Sequence, residues 1–377
     1  NKIDEYRESL LRTKFITNGI NLSIPKRLRI LHVTNFNERH DGRLFFNTGR
    51  RLNNGFIRLG HSVLEFSDRD IIKHYKSIKD YTGAKALNEK LINTVYNYKP
   101  DLLIFGHADL INANTLSYLK DNYKNLKIAQ WFLDPLIKNG PDFEKNKMRI
   151  LDKIELTDAN FITTSPDVLN FLPKKKPCFF MPNPSDSSFE VLNNFNNNQC
   201  SMDVFFALSH GVHRGTLKRG KYDERADFVN RLVEKTPNVK FDLYGINNIQ
   251  PIWADSFLKS IANAKMGVNL SRGSPIKYYS SDRITQLIGN GLLTFIHDNT
   301  CYNNFFNNDE IIFYNNIDSL SEKIQKFAKD DDLRRKIAKK GKEKYMKFFN
   351  STVVADYIIN NTFSIKYKKN KYLWDKS

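Results

Sequence analysis

Short apolar runs alternate with longer amphipathic segments along most of this 377-residue chain. Runs such as Arg29–Thr34 (RILHVT) and Lys127–Phe132 (KIAQWF) predict strands of a parallel sheet, because such strands are covered on both faces and are therefore rich in apolar residues. Further strands are predicted at Ser62–Phe66, Asp101–Phe105, Asn160–Thr164, Cys178–Met181, Val204–Ala207, Phe241–Tyr244, Met266–Leu270, Leu292–Ile296 and Ile311–Tyr314. The alternation predicts an α/β fold of open sheets with helices on both faces.

The segments between these runs have the apolar spacing of helices. The helix after Thr34 is predicted to bury Phe45, Leu52, Phe56 and Leu59 on one face. Other helices are predicted at Tyr6–Phe15, within 67–99, between the strands Asp101–Phe105 and Lys127–Phe132, before Met266, and at Tyr222–Lys235, Arg283–Ile288, Ile317–Asp330, Asp332–Phe349 and 350–362. Strand, polar loop, helix and strand form a Rossmann-type opening. The chain has no GxGxxG, so the fingerprint of a nicotinamide or flavin site is missing.

A polar, Asn-rich stretch near the middle of the chain divides two series of strands and helices. Two domains are also the expected number for this length. We therefore predict an N-terminal extension, a first Rossmann-like domain, a linker, a second Rossmann-like domain, and a C-terminal helix with a loose basic tail at Lys366–Lys376. The predicted boundaries are 1–26, 27–185, 186–201, 202–345 and 346–377.

The charge balance favours anionic partners. The chain has 59 Lys and Arg against 41 Asp and Glu, a net charge of +18. Candidate partners are nucleic acid, anionic lipid, sugar nucleotides and acidic glycans. The basic segment Asp332–Lys347 is predicted to be a solvated helix face, with contact to anionic lipid or glycan as the alternative.

Cysteine content and hydropathy limit the function further. The three cysteines, Cys178, Cys200 and Cys301, form no CxxC pair, so neither a zinc site nor a disulfide framework is indicated. The chain has no long apolar segment and no signal-peptide pattern. We expect a cytoplasmic protein, with a peripheral contact at the inner face of the membrane as an additional possibility.

One stretch, Val268–Asp298, concentrates the features of an anion site. Its strand ends at a loop of turn-forming residues and one arginine, Ser271–Pro275. Ser280, Ser281 and Asp282 each suit the N-cap of the next helix, which Gly289 and Gly291 end. Hydroxyls, a guanidinium and free N–H groups at a helix N-terminus together suit a phosphate. Empty helix termini are common, so this feature alone does not assign a phosphate site.

Two other loops carry candidate chemistry. The segment His210–Gly215 follows the first strand of the second domain, where Gly211 lets a ligand approach and Arg214 and Lys218 can meet a phosphate. An ordinary basic surface turn is the alternative reading. Asp134 follows a strongly apolar strand and is a candidate general base or nucleophile, with the N-cap of a turn as the alternative.

His107 ends the neighbouring strand and is a candidate for orienting an acceptor hydroxyl, with an ordinary loop histidine as the alternative. The first loop of the chain carries several polar residues that would border the same site. They are Asn35, Glu38, His40, Asp41 and Arg43.

The chain resembles the GT-B glycosyltransferases, in particular the CgeB-like, group-1 members. Asn47–Val63 looks like the first helix of that fold, Leu243–Gly245 resembles its strand-end Tyr-Gly, and Ser280–Thr294 is similar to its donor segment. The resemblance implies two Rossmann-like domains with a cleft between them, a nucleotide-sugar donor on the second and a glycan or lipid-linked acceptor on the first. No cofactor and no metal are implied. The implied donor-binding residues are Gly211, Arg214, Lys218, Tyr244, Gly245, Ser271, Arg272, Ser280, Ser281, Asp282, Arg283 and Gln286. Asn35, Glu38 and Arg43 are the acceptor-binding candidates, and Asp134 and His107 the catalytic ones.

The chain departs from this pattern at Gln286, where the relatives usually carry glutamate. An amide binds ribose hydroxyls less strongly than a carboxylate does. Ser280 and Ser281 also resemble the serine pair of transferases that use a cytidine monophosphate sugar, although those families have a His-Pro motif where this chain has Ser274-Pro275.

We therefore expect transfer of a sugar from a nucleotide-activated donor to a cell-surface glycan such as lipopolysaccharide or capsule. A cytidine monophosphate sugar of the 3-deoxy-octulosonic acid type is the alternative donor. A non-catalytic protein that binds glycan or nucleic acid is the alternative class. The chain has no helix-turn-helix, RNP or zinc-finger pattern, which argues against nucleic acid.

Overall fold

A computed structural model describes residues 27–138, 140, 142–209, 212–213, 216–217 and 223–375. The predicted N-terminal helix Tyr6–Phe15 lies outside this range. Chain contacts divide the described residues into two compact units. The first unit contains the chain up to Leu136, Asp142–Asp186 and the chain from Lys347 onward. The second contains Ser187–Met346 and the short segment that begins at Ile137.

The first unit is built on a six-stranded parallel sheet. The strands are β1 (Arg29–Thr34), β2 (Ser62–Ser67), β3 (Leu102–Gly106), β4 (Lys127–Phe132), β5 (Ala159–Ile162) and β6 (Cys178–Phe180). Their order is β2-β1-β3-β4-β5-β6. The chain reverses direction across the sheet between β1 and β3. In an open α/β sheet, ligands bind at such a switch point, at the carboxyl ends of the strands.

Six helices cover this sheet. They are α1 (Thr48–Arg58), α2 (Asp68–Tyr75), α3 (Ala84–Tyr98), α4 (Ala113–Asn122), α5 (Phe143–Ile154) and α11 (Ser351–Thr362). Helix α11 comes from the C-terminal part of the chain and packs against α1. A Cβ atom on Gly55 would overlap the backbone carbonyl of Ser351, so only glycine permits this approach. The Arg58 guanidinium forms a two-pronged ion pair with the buried carboxylate of Asp186, which also accepts from the Ser351 hydroxyl.

The second unit contains a five-stranded parallel sheet. Its strands are β7 (Met202–Ala207), β10 (Phe241–Tyr244), β11 (Ala264–Asn269), β12 (Leu293–His297) and β13 (Ile312–Tyr314), in the order β10-β7-β11-β12-β13. The switch point lies between β7 and β11. The short strands β8 (Val212–His213) and β9 (Thr216–Leu217) form a separate antiparallel pair.

Five helices belong to the second unit. The described residues of the two units contain eleven α-helices and thirteen strands in all. They are α6 (Glu224–Lys235), α7 (Ala254–Ala262), α8 (Arg283–Gly289), α9 (Ile317–Lys329) and α10 (Asp331–Phe348). The core of the unit contains Met266, Val268 and Phe295 from the sheet and Ile324 and Phe327 from α9.

The predicted α/β class with two Rossmann-like sheets and C-terminal helices is confirmed, but one predicted core residue is wrong. Leu52 and Phe56 of α1 are fully buried, whereas Phe45 precedes the helix and is 41% exposed. Its ring instead packs at 4.8 Å from the guanidinium of Arg50. The sequence analysis also missed α5 and the β8–β9 pair.

The prediction of a loose C-terminal tail is wrong. Tyr372 and Trp374 are buried against α11, and Tyr372 donates a 2.6 Å hydrogen bond to Asp356. The Lys371 ammonium lies 2.6 Å from the same carboxylate, and the two side chains are only 10% and 4% exposed. An aromatic and ionic contact therefore holds the chain after α11 to the first unit.

The basic helix α10 pairs much of its charge within its own unit. Lys340 and Lys344 contact Asp309 and Glu310, and Arg334 and Arg335 share Asp331 at the start of the helix. Among the described residues, no helix has the length and apolarity needed to cross a lipid bilayer.

Candidate active site

The carboxyl end of β11 is held to the end of β7 by one arginine. The Arg283 guanidinium donates to the carbonyl oxygens of Leu270 at 2.7 Å and Ala207 at 3.0 Å, and to the hydroxyl of Ser281 at 3.1 Å. It also lies 4.9 Å from the centre of the Phe206 ring. Burial, followed by repulsion from Arg225, lowers the pKa of Arg283 to about 10. Arg283 was predicted to bind the nucleotide sugar, but its N–H groups form hydrogen bonds to the protein itself. These bonds hold the two strand ends on either side of the switch point.

The serines of the β11–α8 loop are also hydrogen-bonded to one another and to the sheet. Ser280 is fully buried, accepts from the Asn269 amide at 2.8 Å, and donates to the carbonyl of Ser281 at 2.9 Å. The backbone N–H of Ser281 donates to the hydroxyl of Ser271 at 3.0 Å. Asp282 stands at the N-cap position of α8 without a side-chain capping bond. Internal hydrogen bonds therefore order this loop, and several of its hydroxyls are used in them.

A cavity of about 680 Å³ opens at the carboxyl edge of this sheet in the second unit. Its wall includes Asn269, Leu270, Ser271, Gly273, Ser274 and Pro275 of the loop, Glu224, Arg225, Phe228 and Arg231 of α6, and Tyr279, His297, Thr300 and Tyr314. Of the predicted donor-binding residues that the structure describes, Ser271 is the one that lines this cavity. The size and the mixture of aromatic and polar groups suit a small-molecule ligand.

Helix α6 supplies cavity residues that the sequence analysis missed. The Glu224 carboxylate accepts from the backbone N–H of Gly273 at 2.6 Å and ties the helix start to the loop. The Arg225 guanidinium is buried and held by Asp223, through bonds of 2.9 and 2.7 Å. Asp223 is also the N-cap of α6. The Asp-Glu-Arg sequence at the start of this predicted helix was therefore the signal from which these residues could have been found.

The other predicted donor residues lie around the cavity or beyond it. Tyr244 ends the edge strand β10 and accepts from Ser260 at 3.1 Å, and Gly245 follows it with φ +75°. Arg272 and Gln286 are half-buried. Gly211, Arg214 and Lys218 lie outside the described residues.

In the first unit, β3 and β4 place His107 beside Asp134. A Cβ atom on Gly106 would overlap the Trp131 ring, so glycine is needed where β3 ends. His107 follows in the left-handed region, φ +54°, and its ring centre lies 4.8 Å from that of Phe132. The Asp134 carboxylate lies 3.6 Å from His107 Nδ1.

One arginine on α5 organises the carboxylates of this cluster. Arg149 lies 3.3 Å from Asp134 and 2.8 Å from Asp109. Burial lowers the pKa of His107, although Asp134 acts in the opposite direction. The other ring nitrogen of His107, Nε2, is buried and has no hydrogen-bond partner among the described residues. A neutral imidazole with a carboxylate on one nitrogen and an unpartnered second nitrogen is equipped to accept a proton.

A chain of polar groups that is buried from Trp131 to Asn53 lies next to this cluster, and the sequence analysis missed it. Trp131 Nε1 donates to His32 Nε2 at 3.3 Å, and His32 Nδ1 lies 3.3 Å from the Asn53 amide oxygen. Asn53 donates to Glu65 at 2.7 Å. Burial lowers the pKa of His32 to about 4, so its neutral ring connects Trp131 to α1.

The predicted acceptor residues lie on the loop after β1. The Asn35 amide donates to Asn37 at 2.8 Å, the Glu38 backbone N–H donates to Asp70 at 2.9 Å, and Arg43 lies 3.3 Å from His40. A groove of about 750 Å³ in the first unit is lined by Glu38 and Arg39 together with residues of β2, α2 and α3. Asn35 and Arg43 are not part of its wall.

Residues 224–360 match the family described as "Glycosyl transferase-like". Structures with the same fold include the sucrose-phosphate synthase of Thermosynechococcus elongatus, with 12% identity and a TM-score of 0.61, covering 90% of this chain and 100% of that one. HepE of Anabaena, solved in complex with UDP-glucose, has 11% identity and a TM-score of 0.57 over 90% of this chain and 100% of its own. A glycosyltransferase of Rickettsia africae has 13% identity and a TM-score of 0.55 over 91% and 100%. No curated protein matches the chain.

The resemblance to the GT-B glycosyltransferases that the sequence predicted is therefore confirmed, by the family match over residues 224–360 and by the shared fold. The group-1 members are the part of that class that the matched segment fits. The individual site residues stay predictions, because the shared fold does not identify them.

Proposed function

We propose that this protein transfers a sugar from a nucleoside diphosphate donor to a hydroxyl of a cell-surface glycan. The observation that carries the proposal is the 680 Å³ cavity at the carboxyl edge of the second sheet, next to its switch point. The complex of HepE with UDP-glucose supports a nucleotide sugar as the donor. A cytoplasmic location, as the sequence predicted, stays part of the proposal.

The donor is proposed to lie in the cavity, with its diphosphate near α6 and the β11–α8 loop. Arg225 and Arg231 offer guanidinium groups at the cavity wall, and Ser271 offers a hydroxyl. Gly211, Arg214 and Lys218 remain proposed phosphate ligands. Fixed cationic groups stabilise a leaving diphosphate without a metal ion. Arg283 is proposed as a positioning residue, because its N–H groups are directed at backbone carbonyls.

The acceptor is proposed to bind the first unit, beside His107 and the groove that Glu38 lines. In the transfer, the acceptor hydroxyl oxygen forms a bond to the anomeric carbon, and the bond from that carbon to the diphosphate oxygen breaks. The proton of the hydroxyl passes to the imidazole of His107, and the diphosphate leaves with the electron pair. Asp134 orients the imidazole and stabilises its protonated form. This assignment exchanges the roles that the sequence suggested for Asp134 and His107.

The alternative donor, a cytidine monophosphate sugar, requires the hydroxyls of both Ser280 and Ser281 at the phosphate. Ser280 is fully buried and donates within the loop, which favours a diphosphate donor. A non-catalytic glycan-binding protein is the remaining alternative, and turnover distinguishes it from a transferase.

The test combines binding and turnover. UDP and GDP are expected to raise the melting temperature of the whole chain, whereas CMP and the free bases do not. Slow hydrolysis of the corresponding sugar nucleotide is then expected, and His107→Gln is expected to reduce it roughly 100-fold while leaving nucleotide affinity unchanged. Stabilisation by CMP alone would favour the alternative donor. Nucleotide binding without any turnover, with glycans supplied as acceptors, would favour the non-catalytic protein.

A further inference from the structure

The turn between α2 and α3 exposes apolar side chains that the first unit does not use. Ile78 is fully exposed and Tyr81 is 85% exposed. Tyr75, at the end of α2, is 44% exposed. Single exposed apolar residues are ordinary on protein surfaces. Three within one short segment form a local apolar projection.

The same segment carries lysines without described partners. Lys73, Lys76 and Lys79 are exposed, and their ammonium groups form no ion pair or hydrogen bond with another residue that the structure describes. Lys90, on α3, lies 5.3 Å from the Tyr75 ring and adds a further positive charge at the base of the turn. Positive charge therefore lies on the same segment as the exposed apolar side chains and next to it.

The one acidic residue inside the turn is used to build it. The Asp80 carboxylate accepts from the backbone N–H of Ala86 at 2.9 Å, and this bond lowers the pKa of Asp80. Asp80 and Ser77 exchange backbone hydrogen bonds of 3.1 and 3.2 Å. The Gly83 N–H donates to the carbonyl of Asp80 at 3.0 Å. The turn is thus a hydrogen-bonded structure that holds Ile78 away from the protein.

We propose that the segment 73–82 is a docking surface for the anionic headgroups of a lipid bilayer, with Ile78 and Tyr81 inserted between the headgroups. Apolar and aromatic side chains enter the interfacial region, and lysines near an anionic surface add electrostatic attraction. The fully exposed isoleucine favours a bilayer over an anionic polymer, whose phosphates or carboxylates gain nothing from an aliphatic side chain.

This surface is different from the basic helix considered in the sequence analysis. In α10, Lys340, Lys344, Arg334 and Arg335 have acidic partners, whereas the lysines of 73–82 have none among the described residues. The inference does not depend on sugar transfer, because lipid binding is measured without donor or acceptor.

The test uses flotation of the whole chain with vesicles of phosphatidylcholine alone or mixed with phosphatidylglycerol. We expect binding to the anionic vesicles that weakens as salt shortens the screening length. Lys73→Gln/Lys76→Gln/Lys79→Gln is expected to weaken binding roughly 100-fold, at about fivefold for each lysine. Ile78→Ser is expected to weaken binding about tenfold without any change of charge.

The matched control removes three exposed lysines elsewhere, Lys175→Gln/Lys329→Gln/Lys336→Gln, and keeps the same net charge as the first triple variant. We expect it to bind within about twofold of the original chain, because these lysines lie outside the segment 73–82 and salt screens the charges that do not contact the bilayer. Equal losses in the two triple variants would overturn the proposal and assign the binding to net charge. An unchanged affinity of Ile78→Ser, or equal affinity for soluble DNA and vesicles, would also overturn it.

Discussion

The guanidinium of Arg283 donates to the backbone carbonyl of Ala207 at 3.0 Å, although the two residues lie 76 positions apart in the chain. The same side chain reaches the carbonyl of Leu270 at 2.7 Å. One guanidinium therefore donates hydrogen bonds to backbone carbonyls at the ends of both strands that flank the switch point. Arg283 thus influences the shape of the ligand site indirectly, because it fixes the position of the backbone around it.

Arg283→Ala is expected to lower the free energy of unfolding by about 3 kcal/mol, since it leaves a cavity and two carbonyls without these donors. Arg231→Ala, an exposed arginine at the cavity wall, is the matched control, with a change within about 0.5 kcal/mol and weaker nucleotide binding. Urea denaturation measures both. Equal unfolding midpoints for Arg283→Ala and the original chain would contradict this role.

The pH dependence of turnover separates the roles of His107 and Asp134. A general base acts in its deprotonated form, and burial lowers the pKa of His107 below 6.5. Turnover is therefore expected to be constant above that pH and to fall only as the pH drops through the lowered pKa. Because Asp134 raises this pKa, Asp134→Asn should shift the acid limb to lower pH.

We expect Asp134→Asn also to reduce turnover, by roughly 10- to 100-fold, because the imidazole loses its orienting charge. Initial rates of donor consumption over a pH series provide the measurement. If Asp134 is itself the base, Asp134→Asn abolishes turnover while His107→Gln preserves it, and the assignment made here is wrong. Asparagine caps turns as well as aspartate does, so a silent Asp134→Asn would indicate a structural cap.

Two buried histidines make stability fall in mild acid. Burial lowers the pKa of His32 and of His61 to about 4, against 6.5 for a free imidazole. The unfolded chain then binds protons that the folded chain excludes, so the stabilisation is complete above pH 6.5 and is lost as the pH falls toward 4. Each residue is expected to remove about 2 kcal/mol by about pH 5.

Urea midpoints at neutral and acidic pH check this expectation. His61 accepts from the Leu28 backbone N–H at 3.1 Å, a bond that protonation breaks. His61→Gln should lose about half of the pH dependence, since glutamine does not titrate there. A variant with the full pH dependence would show that other groups cause it.

The ion pair of the C-terminal tail provides a further stability test. Lys371→Ala is expected to cost about 3 to 5 kcal/mol, because it leaves the buried Asp356 without its cation. Lys369→Ala, two positions earlier and exposed, should change stability by no more than about 0.5 kcal/mol. Thermal or urea unfolding of the two variants gives the comparison. Similar small effects would show that the tail contributes little.

Much of the fold was readable from the sequence because buried parallel strands leave a strong local signal. β1, β4 and β10 have the predicted bounds. The missed helix α5 lacks such a signal at its start. Asp142 precedes it in the left-handed region without a side-chain cap. Its beginning therefore depends on tertiary packing and not on local sequence.

The candidate site was less predictable, since it combines groups that are distant in sequence. Ser271 was predicted from its loop, but Arg225, His297 and Tyr314 reach the same cavity from other elements. The carbonyl bonds of Arg283 depend on where β7 ends relative to β11. A lysine-rich tail likewise gives no local sign that Lys371 meets a buried carboxylate.

The contact between Gly55 and Ser351 has a consequence for synthesis on the ribosome. The first unit contains residues from both ends of the described chain, with the second unit inserted between them. Its β1–β6 sheet can form early, but the face of α1 that α11 covers stays bare until residue 351 and its successors emerge. The nascent chain thus carries an uncovered helix face while the entire second unit is translated, a period in which chaperone binding at α1 would protect it.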